Sequence, residues 1–343
     1  MSRALVLAEP GVLILETRPL PQPAAGEVRV RIAHGGICGS DLHYFLHGGF
    51  GKVRMRGPMV LGHEIAGRVD AVGPGVDGAR IGQAVAVNPS LACGGCAECR
   101  AGAPRFCTDM RFMGSAMRNP PVEGGFRDHV VCTAAQAVPF AGVDLAEAAL
   151  AEPLAVCLHA VRQAGDLAGK RVLITGFGPI GALCLLAARR AGAAEVIVTD
   201  VADAPLALAV RLGSAAALNT RDPAALAGVK SGRGQVDVTL ECAGHPAAIA
   251  DAIEATAPRG TLVQVGMLGA ETTVPLTHVV TRELTYRGTF RFDAEFGPAV
   301  DLIARRVIDV RPLISARFGL NQAADAFALA QDKGRAMKVL LDL

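Results

Sequence analysis

The chain has 343 residues, 51% of them apolar, with 40 glycines, no tryptophan and a formal net charge of +2. That length suggests two domains with substantial cores, and the near-neutral charge argues against a nucleic-acid or membrane-surface partner. No run of about 18 apolar residues is present to span a membrane, and the amino-terminal MSRALVLAEPG has no charged leader followed by a hydrophobic segment, so no secretory signal is expected.

Residues 3–7 and 28–32 alternate as strands do, and Pro19, Pro21 and Pro23 break the chain between them. Residues 35–64 follow as GGICGSDLHYFLHGGFGKVRMRGPMVLGHE. This stretch concentrates metal-ligand and proton-transfer residue types: Cys38, Ser40, Asp41, His43, Tyr44, His47, His63 and Glu64. Its spacing fits a catalytic zinc site, and it equally fits a glycine-rich loop with buried polar residues. Residues 65–76 read as a strand ending in a Gly-Pro-Gly turn, and residues 81–87 as another strand. Such short, glycine-punctuated strands suggest a partly closed β-barrel.

The nine cysteines are an odd number, and four of them, Cys93, Cys96, Cys99 and Cys107, fall within fifteen residues as C-x2-C-x2-C-x7-C. Two-residue gaps let successive thiolates converge on one tetrahedral ion, and a longer loop returns the fourth. Four thiolates fill every position, so the expected ion is a structural zinc. An iron–sulfur cluster and plain free thiols are the competing readings. The pattern favours a reducing, cytoplasmic setting over a disulfide framework.

Residues 123–131 return to β character, and residues 145–164 read as helical. Pro153 suits a helix's first turn, which puts Glu152 at its start. Cys157 and His159 fall inside an apolar helix and read as core residues. From Gly169 the pattern changes. Residues 171–175 form an apolar strand, Gly176, Gly178 and Gly181 follow as G-F-G-P-I-G, residues 182–191 continue as a helix, and residues 195–199 form a second strand ending at Asp200. The glycines follow a strand and open a helix, and an acid lies about twenty residues on, which is the context a dinucleotide fingerprint requires. Gly176 makes the turn, Gly178 with Pro179 and Ile180 lets the backbone approach a pyrophosphate, and Gly181 permits close packing. Asp200 bonds ribose hydroxyls and repels a 2′-phosphate, and no arginine follows it, so NAD is expected over NADP. Helices at 204–212 and 246–257 and strands at 216–219, 236–241, 261–265 and 284–289 complete a doubly wound parallel sheet. Ligand contacts are expected at its carboxyl ends, at 242–244, at 266–268 with Val265 before them, and at Thr289 and Arg291. Residues 294–305 and 323–331 read as helices and 336–341 as a strand. The expected division is 1–152 with 291–343, carrying a zinc lobe at 93–107, and 153–290 for the cofactor.

C-G-S-D-x-H…G-H-E, the four-cysteine lobe and the dinucleotide fingerprint stand here in one order. Together they resemble the zinc-dependent medium-chain alcohol dehydrogenases, over essentially the whole chain. The resemblance implies a GroES-like catalytic domain beside a Rossmann domain, and one catalytic and one structural zinc. Cys38 and His63 are then catalytic zinc ligands. The alcohol-dehydrogenase branch carries a further cysteine where this chain has Glu152 in A-E-P-L, so the chain looks like the polyol, sorbitol-type branch. The third protein ligand stays open between Glu64 and Glu152. HGGFG followed by Arg54 and Arg56 tilts the expected substrate from a polyol to a sugar acid, with Arg54, Arg56, Arg118 or Arg291 as candidates for its carboxylate. By the same resemblance, Ser40 receives the substrate proton and His43 releases it, Asp41 orients a ligand, and Tyr44 lines the pocket or packs. A homo-oligomer, a tetramer ahead of a dimer, is expected. Polyol oxidation, threonine oxidation and a non-catalytic NAD-binding protein on the same fold are the rivals.

Overall fold

The alternating segments at the amino end fold as antiparallel pairs in the computed structural model, which describes residues 1–269 and 271–343. β1 (Ser2–Glu9) pairs with β2 (Val12–Arg18) and with the short strand Met59–Val60. β3 (Glu27–Gly36) sits inside a seven-stranded sheet, bonded to Glu64–Val72, His129–Thr133 and Lys338–Asp342. Its period of two turns Val28, Val30 and Ile32 to one face, where they meet Ile65, Val69, Val85, Val87 and Val130 in a single apolar core. These elements lie in one compact unit, Met1–Glu152 with Asp293–Asp332 and Lys338–Leu343.

The second unit comprises Pro153–Phe292 and Lys333–Met337. Its six strands run in the order Ala216–Asn219, Glu195–Asp200, Arg171–Thr175, Val236–Glu241, Thr256–Gln264, Thr285–Gly288, every pair parallel. Strands buried on both faces read as continuous apolar runs, and Val172, Leu173, Ile174, Val196, Ile197 and Val198 are all buried. The doubly wound sheet is therefore as expected from sequence.

Four local expectations need correction. Residues 39–47 are a helix, α1 (Gly39–His47), where the sequence suggested only glycine-spaced turns. Residues 145–164 divide into Leu145–Ala148 and Ala151–Ala164. Residues 81–83 close a 3-10 turn (Gly78–Arg80) before the shorter strand Ala84–Val87. The strand expected at 261–265 starts earlier, as Thr256–Gln264, and shortens the preceding helix to Pro246–Ala255. Among the described residues, no helix is long and apolar enough to cross a membrane.

Candidate active site

Cys38 is the N-cap of α1, and Asp41 is its third helical residue. Asp41 reaches back so that Oδ2 accepts the Cys38 backbone N–H at 2.9 Å, one half of a capping box. Its Oδ1 accepts the Gly62 N–H at 3.1 Å. One buried carboxylate thus fixes both backbone segments that present Cys38 and His63. Gly62 adopts φ +92°, and a Cβ there would lie 2.4 Å from the Phe126 ring, so only glycine fits. His63 is buried against Phe112, with ring centroids 5.4 Å apart. Its Nδ1 lies 3.7 Å from Asp41 Oδ1, beyond hydrogen-bond length, and is buried with no partner.

Ligand atoms of Cys38, His63 and Glu64 all lie within 4.8 Å of one another. Glu64 is 1% exposed, and so is its cation: Lys338 is 2% exposed and donates to Oε1 at 2.8 Å and Oε2 at 2.7 Å. Lys338 also donates to the Ile37 carbonyl at 3.1 Å. The space for Glu64 comes from its β3 neighbour Gly36, where a Cβ would lie 2.2 Å from Oε2. Burial alone would lower the lysine's pKa, but Glu64 and Cys38 hold it above the ordinary value. Glu152, buried in the first turn of Ala151–Ala164, is pushed up to about 8 by burial, with His63 opposing and Glu64 and Cys38 adding to the rise. Burial and then Glu64 push the Cys38 thiol up to about 12. A thiol, an imidazole and a carboxylate therefore share one site with one ammonium, and a second carboxyl, that of Glu152, lies near enough to feel all four. Without a further cation the thiol and a carboxyl keep their protons. A dication with sulfur, nitrogen and oxygen donors answers that charge balance, and this donor set suits zinc.

Ser40 is near enough to the Cys38 thiol to oppose slightly the rise in its pKa, and exposed His43 stands three residues further along α1, on the same face. Tyr44 is buried, its hydroxyl accepting the Ala116 N–H at 3.0 Å and its ring edge-on to Phe50. Of the two roles open for Tyr44, this geometry is the packing one. Arg54 donates to the carbonyls of Gly51 and Val53 in its own turn, and Arg118 pairs with Asp109. Arg56 is exposed.

Cys93, Cys96, Cys99 and Cys107 converge as a second cluster. The Cys93 and Asp109 N–H groups donate to the Cys107 sulfur at 3.2 and 3.4 Å. N–H groups of Cys99 and Thr108 bring the Cys96 thiol down to about 6. Backbone donors aimed at sulfur favour thiolate, the form that binds metal.

In the second unit the fingerprint glycines do separate jobs. Gly176 has φ +78°, and a Cβ on it would lie 2.7 Å from the Ala243 Cα. Gly178 caps the helix Pro179–Arg190 with open space where its side chain would be, which leaves backbone free to meet a phosphate. A Cβ on Gly181 would lie 2.1 Å from the Gly176 oxygen. Asp200 Oδ2 accepts the Phe177 N–H at 2.7 Å and Oδ1 accepts the Ala202 N–H at 2.9 Å, so the carboxylate is held at the loop with lone pairs to spare. Val265 bonds the Glu241 carbonyl through its N–H, Thr289 keeps a buried hydroxyl without a partner, and Arg291, at φ +51°, lies over the Phe290 ring.

Two residues were missed from sequence. Lys338 reads there as a lone charge at the start of an apolar strand. Glu241 is buried and accepts from Thr175 at 3.2 Å, Ala243 at 2.9 Å, Gly244 at 3.0 Å and also from Gln264, tying three strand ends together. Its signal was an acid closing an otherwise apolar strand.

A Rossmann unit with an NAD-type fingerprint, joined in one chain to a thiolate–imidazole–carboxylate centre and a four-thiol lobe, defines a zinc-dependent nicotinamide dehydrogenase. Residues 24–142 match the model for the alcohol dehydrogenase GroES-like domain and residues 179–305 that for zinc-binding dehydrogenases. The chain belongs to the zinc-binding dehydrogenase family, as an alcohol or polyol oxidoreductase. It is 43% identical over 313 residues to L-idonate 5-dehydrogenase (NAD(P)(+)) of Escherichia coli (strain K12), covering 91% of this chain and 90% of that protein. The crystal structure of L-idonate 5-dehydrogenase from Escherichia coli str. K-12 substr. MG1655 superposes with a TM-score of 0.95 at 40% identity, covering 100% of this chain and 98% of that one. Sorbitol dehydrogenase of Homo sapiens is 37% identical over 351 residues, covering 98% and 95%.

Proposed function

We propose that the chain oxidises a secondary hydroxyl of a sugar acid, L-idonate to 5-keto-D-gluconate, with NAD as acceptor. The Cys38–His63–Glu64 cluster carries the dehydrogenase reading, and the likeness to L-idonate 5-dehydrogenase over nine-tenths of both chains supports the substrate. Catalysis is assigned to residues 1–152 with 291–343, and cofactor binding to 153–290.

Cys38, His63 and one carboxylate, Glu64 or Glu152, would hold the catalytic zinc, and Cys93, Cys96, Cys99 and Cys107 the structural one. When bound, zinc supplies Lewis acidity that lowers the pKa of the substrate hydroxyl, and NAD supplies the hydride acceptor. Ser40 accepts the hydroxyl proton, and His43, exposed one turn along α1, delivers it to solvent. Asp41 keeps Cys38 and His63 in register. Asp200 holds the ribose hydroxyls and sets the preference for NAD. Of the arginines proposed for the substrate carboxylate, Arg56 is favoured, because Arg54 and Arg118 are engaged by their neighbours; Arg291 remains a candidate for substrate or cofactor phosphate. Nine free cysteines support a reducing, cytoplasmic location.

Initial rates across L-idonate, sorbitol, xylitol and L-threonine, each with NAD and with NADP, test this reading. L-idonate with NAD is expected to give the highest kcat/KM. Faster turnover of sorbitol would move the assignment to the polyol dehydrogenases, which human sorbitol dehydrogenase at 37% identity makes the second reading. Turnover of none of these, with fewer than two zinc per chain, would favour a non-catalytic NAD-binding protein.

We also propose a homo-oligomer, a tetramer ahead of a dimer. The edge strand Thr285–Gly288 is exposed along its whole length and has an open side in the six-stranded sheet. Light scattering is expected to give a mass above that of the 35.3 kDa chain; a monomer at micromolar concentration would overturn this.

A further inference from the structure

The Lys338–Glu64 pair has no part in proton transfer or cofactor binding, yet it occupies a carboxylate in the middle of the metal-ligand cluster. Both Glu64 oxygens are taken by one ammonium. Neither residue reaches solvent, so no water can take over when one partner leaves. The ammonium has a second anchor, the carbonyl of Ile37, the residue before Cys38. It therefore stays beside the ligands whether or not it holds Glu64. A dication bound by Cys38 and His63 attracts the same carboxylate and repels the same ammonium.

We propose that Lys338 is a positioning residue that competes with the metal for Glu64, keeping this carboxylate an exchangeable rather than a permanent ligand. Glu152, buried and close enough to feel His63, Glu64, Cys38 and Lys338, would then be the alternative oxygen donor. The inference rests on the zinc reading of the cluster.

It predicts an unusual sign. Loss of a residue that supports a metal ligand ordinarily weakens metal binding by about 10–100-fold. Lys338→Met is expected instead to hold the catalytic zinc about tenfold more tightly, read as slower release to a chelator, because the competitor and the repelling charge are both gone. The four-cysteine zinc is the internal reference and should exchange unchanged. The metal-free variant should melt at lower temperature than the parent, with Glu64 left unpaired, and zinc should raise its Tm by more than it raises the parent's. In the cobalt-substituted protein the visible spectrum of Lys338→Met should no longer change when substrate is added. Lys338→Arg should restore parent-like exchange. If Lys338→Met does not fold without metal, Glu64→Gln with Lys338→Met removes the unpaired charge, and it should lose the tenfold gain. Faster zinc release from Lys338→Met, or equal release, overturns the proposal and leaves the pair a structural brace. A parent protein that holds fewer than two zinc ions overturns the underlying zinc reading instead, so the two failures are distinguishable.

Discussion

Cys38→Ser is expected to abolish turnover and leave NAD binding intact. A serine hydroxyl at the N-cap preserves the start of α1, so the fold should survive. It does not ionise near neutral pH and is a poor zinc ligand, so the centre loses its one thiolate. Metal analysis should fall from two zinc per chain to one, the four-cysteine site keeping its ion. Removing a Lewis acid worth several kcal/mol lowers kcat by roughly a thousandfold or more. The fingerprint, Gly176 to Asp200, belongs to the other compact unit and shares no residue with the centre. Calorimetry should therefore give an NAD affinity within about twofold of the parent, since no interaction of the loop is changed. Activity surviving in Cys38→Ser would sink the zinc mechanism.

Asp41→Ala is expected to cost more in stability than any other single change in the centre. Asp41 is fully buried and accepts two backbone N–H groups, those of Cys38 and Gly62. Alanine leaves both donors buried and unpaired, at about 1–3 kcal/mol each. The two segments that present Cys38 and His63 would then move independently, so zinc content should fall with stability. Asp41→Asn retains one acceptor oxygen and should lie between parent and alanine. The urea midpoint and the zinc count of the purified variants decide it. A loss below about 1 kcal/mol would mean that water reaches these donors and that Asp41 is not the brace.

What could be read from sequence follows from how local each signal is. The parallel sheet was legible because strands buried on both faces are written as apolar runs, and the fingerprint because its glycines stand at short fixed spacing between a strand and a helix. The four-cysteine lobe was legible for the same reason. α1 was hidden by flanking glycines, although Asp41 three residues after Cys38 and Gly48 at the C-cap, φ +65°, are ordinary helix-end signals. The choice between Glu64 and Glu152 stayed open because it depends on a cation that periodicity cannot place. Lys338 lies 274 residues from Glu64, and only the pairing of Lys338–Asp342 with β3 brings them together.

That separation has a consequence for biosynthesis. A ribosome adding 5–20 residues per second takes roughly 15–55 s to travel from Glu64 to Lys338. Throughout that interval Cys38, His63 and Glu64 are already made, while the strand that supplies their ammonium is not. The inner seam of the seven-stranded sheet cannot close until translation has passed the whole Rossmann unit. Maturation of the metal centre is thereby timed by the arrival of Lys338, 274 residues after Glu64 has been made.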